Sequence, residues 1–180
     1  MIVDRDRSVL LVIDVQERLA PATAEPDRVI ANCAVLMKAA ARLDVPVLVS
    51  EQYPKGLGPT VGALRGLAAD ADIYPKLHFS CADDPGYRAR LDALGRRQAI
   101  LAGMETHVCV LQTALGAKAI GYQVAVVGDA VSSRAPDNKA AALARMAANG
   151  IEVVTTEMIV FEWLGQAGTE AFRELSALIK

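Results

Sequence analysis

The chain has 180 residues, of which 53% are hydrophobic and 22% are charged, and its net charge is −2 with a pI of about 5.7. This composition is typical of a globular chain that can bury a substantial core, and it excludes a disordered or low-complexity protein. The small negative charge offers no electrostatic footprint for nucleic acid, so no nucleic-acid partner is expected.

The beginning of the chain does not have the pattern of a signal peptide, because its apolar run at residues 9–13 is short and ends in Asp14. No apolar stretch approaches the roughly 20 residues that span a bilayer, so no membrane partner is expected. The cysteines Cys33, Cys81 and Cys109 are odd in number and widely spaced, which favours free thiols over a disulfide framework. We therefore expect a cytoplasmic protein.

Short apolar runs, mostly of β-branched residues, predict six β-strands. Several runs are apolar nearly throughout, which is typical of strands that are buried on both faces of a parallel sheet. In chain order, the predicted strands cover residues 9–13, 47–50, 73–77, 98–102, 123–127 and 152–155.

Helical spacing of apolar residues fills most of the segments between these strands. The predicted helices cover residues 28–43, 86–94, 108–120, 138–148 and 170–179. Asp27, Asp137 and Thr169 are the expected N-terminal caps, and Pro85 is expected in the first turn of the second helix. Residues 51–60 hold two prolines and two glycines, so they are predicted to form an ordered surface loop.

The alternation of strands and helices predicts an α/β fold, a three-layer α/β/α sandwich formed by a single domain over residues 1–180. Right-handed crossovers favour a six-stranded, parallel, doubly wound sheet with strand order 3-2-1-4-5-6. Ligands of such sheets bind beyond the carboxyl ends of the strands, where strands one and four adjoin. Chemistry is therefore expected at that edge of the sheet.

Two charged residues come at the ends of predicted strands. Asp14 directly follows strand one, and it is either a candidate site residue or a solvated carboxylate that caps the next segment. Lys76 lies near the end of strand three, and by itself it has the character of an ordinary surface lysine. Since strand three flanks strands two and one, Lys76 can reach the same crevice as Asp14.

Cys109 follows strand four through a short turn and begins the apolar helix predicted at 108–120. A thiol in the first turn of a helix is expected to have a lowered pKa, because the backbone N–H groups and the helix dipole favour the thiolate. A buried structural cysteine is the alternative, and it is the common state of free cysteine. A thiol, a carboxylate and an amine converging on one crevice would supply a nucleophile, its base and a charge-stabilising cation.

These residues resemble the isochorismatase-like cysteine hydrolases. The resemblance rests on the segments at residues 11–16 and 103–110, on Lys76 and on residues 128–133, and residues 51–58 have a counterpart in the short isochorismatase-domain-containing hydrolases. It implies Cys109 as nucleophile, Asp14 as general acid and base, and Lys76 as the third catalytic residue. It also implies a homo-oligomer, for which the apolar segment at 158–164 offers a surface.

Two departures from the wider superfamily narrow this interpretation. Nicotinamidases carry an aspartate and several histidines for a metal after strand two, whereas this chain has residues Ser50-Glu51-Gln52-Tyr53 there and only two histidines in all. No metal and no other cofactor are therefore expected. Isochorismatases proper cleave a vinyl ether without a cysteine nucleophile, so Cys109 favours C–N or acyl chemistry on a small-molecule substrate.

An oxyanion hole needs two N–H groups that point at one position, and Cys109 and Glu105 are the expected donors. The resemblance implies a cis peptide bond between Met104 and Glu105. Residues next to the predicted strand ends are the expected substrate contacts: Gln16, Tyr53, Leu57 and Phe79.

For several other residues, the sequence predicts a structural role or leaves two roles open. His107 is either a pocket residue or part of the turn, His78 is expected to be structural, Cys33 to face the core, and Cys81 to be a partly exposed loop thiol. Phe161 and Trp163 belong either to the core or to a subunit interface.

The alternatives to a cysteine amidohydrolase are a hydrolase of a non-amide small molecule, an interaction module with the same fold, and a nucleotide-binding domain. The last is disfavoured because no G-x-G-x-x-G motif follows strand one.

Overall fold

The computed structural model describes residues 1–179 and contains a six-stranded sheet in the order β3-β2-β1-β4-β5-β6. Every pair of neighbouring strands is parallel. The strands are β1 (Ser8–Ile13), β2 (Val47–Gln52), β3 (Ile73–Lys76), β4 (Gln98–Met104), β5 (Gln123–Ser132) and β6 (Glu152–Val154). The predicted parallel, doubly wound sheet and its strand order are confirmed.

Helices connect the strands in sequence. They are α1 (Pro26–Arg42), α2 (Pro54–Leu57), α3 (Gly62–Arg65), α4 (Pro85–Ala93), α5 (Leu111–Ala119), α6 (Pro136–Ala148), α7 (Thr156–Leu164) and α8 (Glu170–Ser176). Short 3-10 turns lie at Ala20–Ala22 and Asp70–Asp72, and a π-helical turn at Thr106–Val110 precedes α5. Among residues 1–179, no helix is both long and apolar enough to cross a membrane.

The central strand β1 shows why the fold has three layers. All six of its residues are buried, and its side chains alternate between two cores. Leu10 and Val12 pack in the core that contains α1, α7 and α8, whereas Leu11 and Ile13 pack in the core that contains α4, α5 and α6. The three-layer α/β/α sandwich is thus confirmed.

Two predicted helix caps are wrong for the same physical reason. Helix α1 begins at Pro26 and α6 at Pro136, one residue before Asp27 and Asp137, so both aspartates lie inside the first turn. A proline suits the first helical position because its fixed φ is helical and no N–H is needed there. The Thr169 cap is confirmed, since its side chain accepts a hydrogen bond from the Phe172 N–H.

The segment predicted as a loop at residues 51–60 is more regular than expected. Strand β2 continues through Gln52, α2 follows at once, and Gln16 forms an isolated antiparallel bridge with Thr60. Prolines and glycines led to the loop prediction, but Pro54 begins a helical turn there.

Strand β5 and helix α5 also depart from their predicted bounds. Residues Gly128 and Asp129 were expected to follow the end of the fifth strand, yet β5 continues to Ser132 after a register shift against β4. Helix α5 begins at Leu111, because the turn with π geometry occupies the first residues of the helix predicted at 108–120.

The apolar segment at 158–164 forms α7, a helix that the sequence analysis did not assign. Ile159, Val160 and Trp163 are buried within the chain, and the Trp163 Nε1–H donates to Ser8 Oγ at 3.1 Å. Trp163 is therefore a core residue, whereas Phe161 is 43% exposed. Most of the surface that was expected to meet another subunit is thus used inside the monomer.

Gly103 allows β4 to approach β1 closely next to Asp14. Its φ is +118°, and a Cβ built there would lie 2.0 Å from the Ile13 carbonyl oxygen. A side chain would therefore need both a strained backbone and a displaced neighbouring strand.

We predict that Gly103→Ala lowers the free energy of unfolding by at least about 2 kcal/mol, because strain and overpacking add. Urea denaturation measures the loss. Gly121→Ala is the matched control, since its φ is +93° and no atom lies within 4 Å of the added Cβ. Equal losses in the two variants would contradict the proposed clash.

Candidate active site

Asp14 occupies the first position after β1, at the edge of the sheet where the fold places ligands. It is fully buried and has a left-handed backbone with φ of 49°. Its N–H donates to the Ser50 carbonyl at 3.1 Å, and its Oδ1 accepts a 2.6 Å hydrogen bond from Ser50 Oγ. A non-glycine residue in this conformation is uncommon.

Lys76 forms a buried ion pair with Asp14. The Lys76 Nζ lies 2.8 Å from Asp14 Oδ2, and both side chains are fully buried. The ammonium group also contacts Gln52 Oε1 at 2.7 Å and the carbonyls of His78 and Phe79 at 3.1 and 3.2 Å. Burial lowers the pKa of Lys76, but Asp14, Cys81 and Cys109 together outweigh burial, so this pKa is raised overall and the lysine stays charged.

Cys109 lies in the π-helical turn between β4 and α5 and is 5% exposed. Burial raises the pKa of its thiol, the Asp14 carboxylate raises it further, and Lys76 offsets only part of this effect. The expected lowering by a helix start is therefore wrong. Because α5 begins only at Leu111, the thiol precedes the regular helix, and a carboxylate faces it.

The structure thus brings Asp14, Lys76 and Cys109 together from three different strands or strand ends. The Asp14 carboxylate contacts the Lys76 amine, and its charge raises the pKa of the Cys109 thiol. This arrangement places a carboxylate next to a thiol of raised pKa, so the carboxylate is positioned as a base for the thiol proton.

The turn before Cys109 has the backbone geometry that the resemblance implied. The peptide bond between Met104 and Glu105 is cis. The Glu105 carbonyl accepts from the N–H groups of Val108 and Val110, and its carboxylate accepts from the Arg134 N–H at 2.9 Å and Nε at 3.1 Å. Within residues 1–179 the Glu105 N–H donates to no protein acceptor, so it is available to a ligand.

The expected substrate contacts have different surroundings. Gln16 is fully buried, and its amide bonds to the backbone of Gln52 and Gly58, so its polar atoms hold the chain after β2 in place. Tyr53 and Phe79 are 52% and 54% exposed, and Leu57 is half-buried.

A cavity of about 250 Å³ adjoins Lys76 on the side of β3. Its lining residues are Pro54, Pro75, Lys76, Leu77, His78 and Asp84. The exposed surface of these walls is largely apolar.

Ser50 and Gln52 were not predicted as site residues, and the predicted exposure of Cys81 is wrong. Ser50 and Gln52 are the polar residues at the end of β2, next to Asp14 and Lys76, and a search of every strand end would have found them. Cys81 is fully buried rather than partly exposed. Burial raises the pKa of its thiol to about 11, with Lys76 lowering it and Asp14 raising it by smaller amounts.

The two histidines lie near the site but have protein partners. His107 Nδ1 is 2.9 Å from Ser133 Oγ and its Nε2 is 3.4 Å from Asn138 Nδ2, whereas His78 Nδ1 is 3.3 Å from Asp84 Oδ2. Cys33 faces the core with α1, as expected. Among residues 1–179, no group of three or more His, Cys, Asp or Glu side chains is arranged to hold a metal ion.

The chain is similar to known proteins over most of its length. The isochorismatase domain model matches residues 8–158. Isochorismatase domain-containing protein 1 of Salmo salar is 39% identical over 173 residues, which are 96% of this chain but 61% of that protein, so the chain spans about three fifths of this relative.

Two solved structures share the whole fold. The MAR1 ribonuclease from Caenorhabditis elegans has a TM-score of 0.93 at 35% identity and covers 99% of this chain and 92% of its own. The YcaC gene product from Escherichia coli, an octameric hydrolase of unknown specificity, has a TM-score of 0.92 at 25% identity and covers 98% of this chain and 89% of its own. The chain belongs to the isochorismatase family of hydrolases.

Proposed function

We propose that this hydrolase cleaves a small amide, or a related C–N or acyl substrate, through a thioester on Cys109 and without a metal. The observation that carries the proposal is the buried Lys76–Asp14 pair facing the Cys109 thiol. A carboxylate beside a buried thiol is suited to remove the thiol proton and to return that proton to a leaving group.

In the first half of the reaction, Asp14 accepts the proton of Cys109 while the sulfur attacks the substrate carbonyl carbon. The carbonyl π electrons move to oxygen, and the N–H groups of Glu105 and Cys109 stabilise that oxyanion. When the intermediate collapses, the C–N bond breaks and the departing amine takes the proton from Asp14. An acyl thioester on Cys109 remains.

In the second half, Asp14 removes a proton from water as the water oxygen attacks the thioester carbonyl. Collapse breaks the C–S bond, and the sulfur receives the proton from Asp14. The sum is amide plus water to acid plus amine. Lys76 keeps its proton throughout, since its pKa is raised, and its ammonium group at 2.8 Å stabilises negative charge on Asp14.

The direct test is a screen of small amides, ureides and carbamates for amine release, with Cys109→Ala as the blank. A hydrolase of a non-amide small molecule would instead show Cys109-dependent turnover on esters or thioesters alone. Absence of any Cys109-dependent turnover would favour an interaction module.

An RNA oligonucleotide belongs in the same screen, because the similar Caenorhabditis elegans protein is named a ribonuclease. The net charge of −2 does not favour binding to a phosphate backbone, so no cleavage of RNA is expected.

We predict that Cys109→Ala lowers kcat/KM on any substrate found by more than about 1,000-fold, the scale seen when a covalent nucleophile is removed. Steady-state kinetics measure the loss, and circular dichroism checks the fold. Cys33→Ala is the matched control, since Cys33 is also a buried thiol but lies in the core on the other face of the sheet. Full activity in the Cys109 variant would refute the thioester mechanism.

Replacing Asp14 by Asn removes the base while it keeps the size of the side chain, so we expect a loss in kcat/KM of at least about 100-fold. Asp129→Asn is the control, because Asp129 accepts from Thr156 at the far side of the sheet and an amide oxygen can still accept there. A rate for Asp14→Asn within a few fold of wild type would exclude Asp14 as the base.

We also propose a homo-oligomer in the cytoplasm, a location that suits the three free cysteines. Support for the oligomer comes from the octameric relative and from the exposed apolar side chains of Tyr53, Leu77 and Phe79, of which Leu77 is 71% exposed. Light scattering at micromolar concentration should give a multiple of the 19.1 kDa chain mass. Leu77→Glu should lower that mass, whereas Met158→Glu on α7 should not; a monomeric wild-type protein would contradict the proposal.

A further inference from the structure

Ser50 holds Asp14 through both its backbone and its side chain. The two residues adjoin because β1 and β2 pair in parallel, with Ile13 opposite Ser50. The Ser50 carbonyl accepts from the Asp14 N–H at 3.1 Å, and the Ser50 hydroxyl donates to Asp14 Oδ1 at 2.6 Å. Ser50 is fully buried, so no water competes for this hydroxyl at its own surface.

The two carboxylate oxygens of Asp14 have separate donors. Lys76 occupies Oδ2, but its ammonium group divides three N–H groups among four acceptors, which include Gln52 and two backbone carbonyls. Among the hydrogen bonds of residues 1–179, Ser50 is the one donor to Asp14 Oδ1. Loss of the Ser50 hydroxyl would therefore leave a buried anionic oxygen without its hydrogen bond.

The titratable groups around the thiol determine where its proton resides. Cys109 is faced by Asp14 from the end of β1, by Lys76 from β3 and by Cys81 from the following loop, and Tyr87 on α4 lies close to both Asp14 and Cys81. Burial and the Asp14 charge raise the pKa of Cys109. A donor that stabilises the negative charge of the Asp14 carboxylate makes this carboxylate a weaker acceptor for the Cys109 proton.

We propose that Ser50 is a positioning residue whose 2.6 Å hydrogen bond to Asp14 Oδ1 restrains this carboxylate from taking the Cys109 proton until substrate is bound. This role rests on the proposed function only in that Asp14 and Cys109 exchange a proton. A resting thiol is a poor target for electrophiles and oxidants, since the thiolate is the reactive form. The nucleophile then forms only when the substrate carbonyl is in place to receive it.

The experiment is the rate of Cys109 alkylation by iodoacetamide at neutral pH, followed by mass spectrometry of the Cys109 peptide. Ser50→Ala should raise this rate by about tenfold or more, because an unpaired Asp14 takes the proton from sulfur more readily. Ser50→Thr keeps the hydroxyl and should retain the wild-type rate.

Ser8→Ala is the matched control. Ser8 is also fully buried, and its hydroxyl donates to the Asp4 carbonyl and accepts from Trp163 at the opposite end of β1. Its loss should leave the alkylation rate unchanged.

A double-mutant cycle separates proton placement from a loosened structure. In an Asp14→Asn background no carboxylate is present, so Ser50→Ala should have no further effect on the rate. An equal increase in that background, or no increase in the wild-type background, would overturn the proposal. Alkylation needs no hydrolysable substrate, so this outcome is independent of the turnover tests of the proposed function.

Discussion

The buried ion pair between Lys76 and Asp14 is the interaction on which the site depends. Both side chains are fully buried at 2.8 Å separation, and removal of one partner from such a pair costs about 3–5 kcal/mol. The pair joins β1 to β3, although β2 lies between them. Neighbouring strands are about 4.8 Å apart, so the lysine side chain has to pass over the end of β2. Ser50 and Gln52 near the end of β2 supply polar partners to the pair: Ser50 donates to Asp14, and Gln52 accepts from Lys76.

The same pair determines the state of Cys109. A lysine alone would stabilise a thiolate, but here its charge is largely matched by Asp14, and burial disfavours any further anion. The thiol therefore has a raised pKa in the absence of substrate. Activation by proton transfer at the moment of attack suits such a site better than a permanently ionised sulfur, and it gives Ser50 its importance as the second donor to Asp14.

Residues near strand ends show which structural features the local sequence pattern predicts correctly and which it does not. The run at β1 is apolar on both faces, and this property led to the parallel sheet and to the edge where Asp14 lies. Cap predictions failed at Asp27 and Asp137 because a preceding proline began the helix. Strand β5 was predicted too short because its apolar run is interrupted at Gly128 and Asp129, whereas the strand continues through them to Ser132. Cys81 was placed in an exposed loop, yet the packing of that loop under α4 and α5 buries it.

The sequence by itself determined the fold class, the strand order and the three residues of the candidate site, because apolar periodicity and parallel topology place strand ends at a common edge. Only the tertiary structure decided the burial of those residues and their hydrogen-bond and ion-pair partners. Burial, the 2.6 Å contact of Ser50 with Asp14 and the sharing of Lys76 among four acceptors arise from segments far apart in the chain. Electrostatic effects of this kind depend on distance and on exclusion of water, and neither is encoded in the local order of residues.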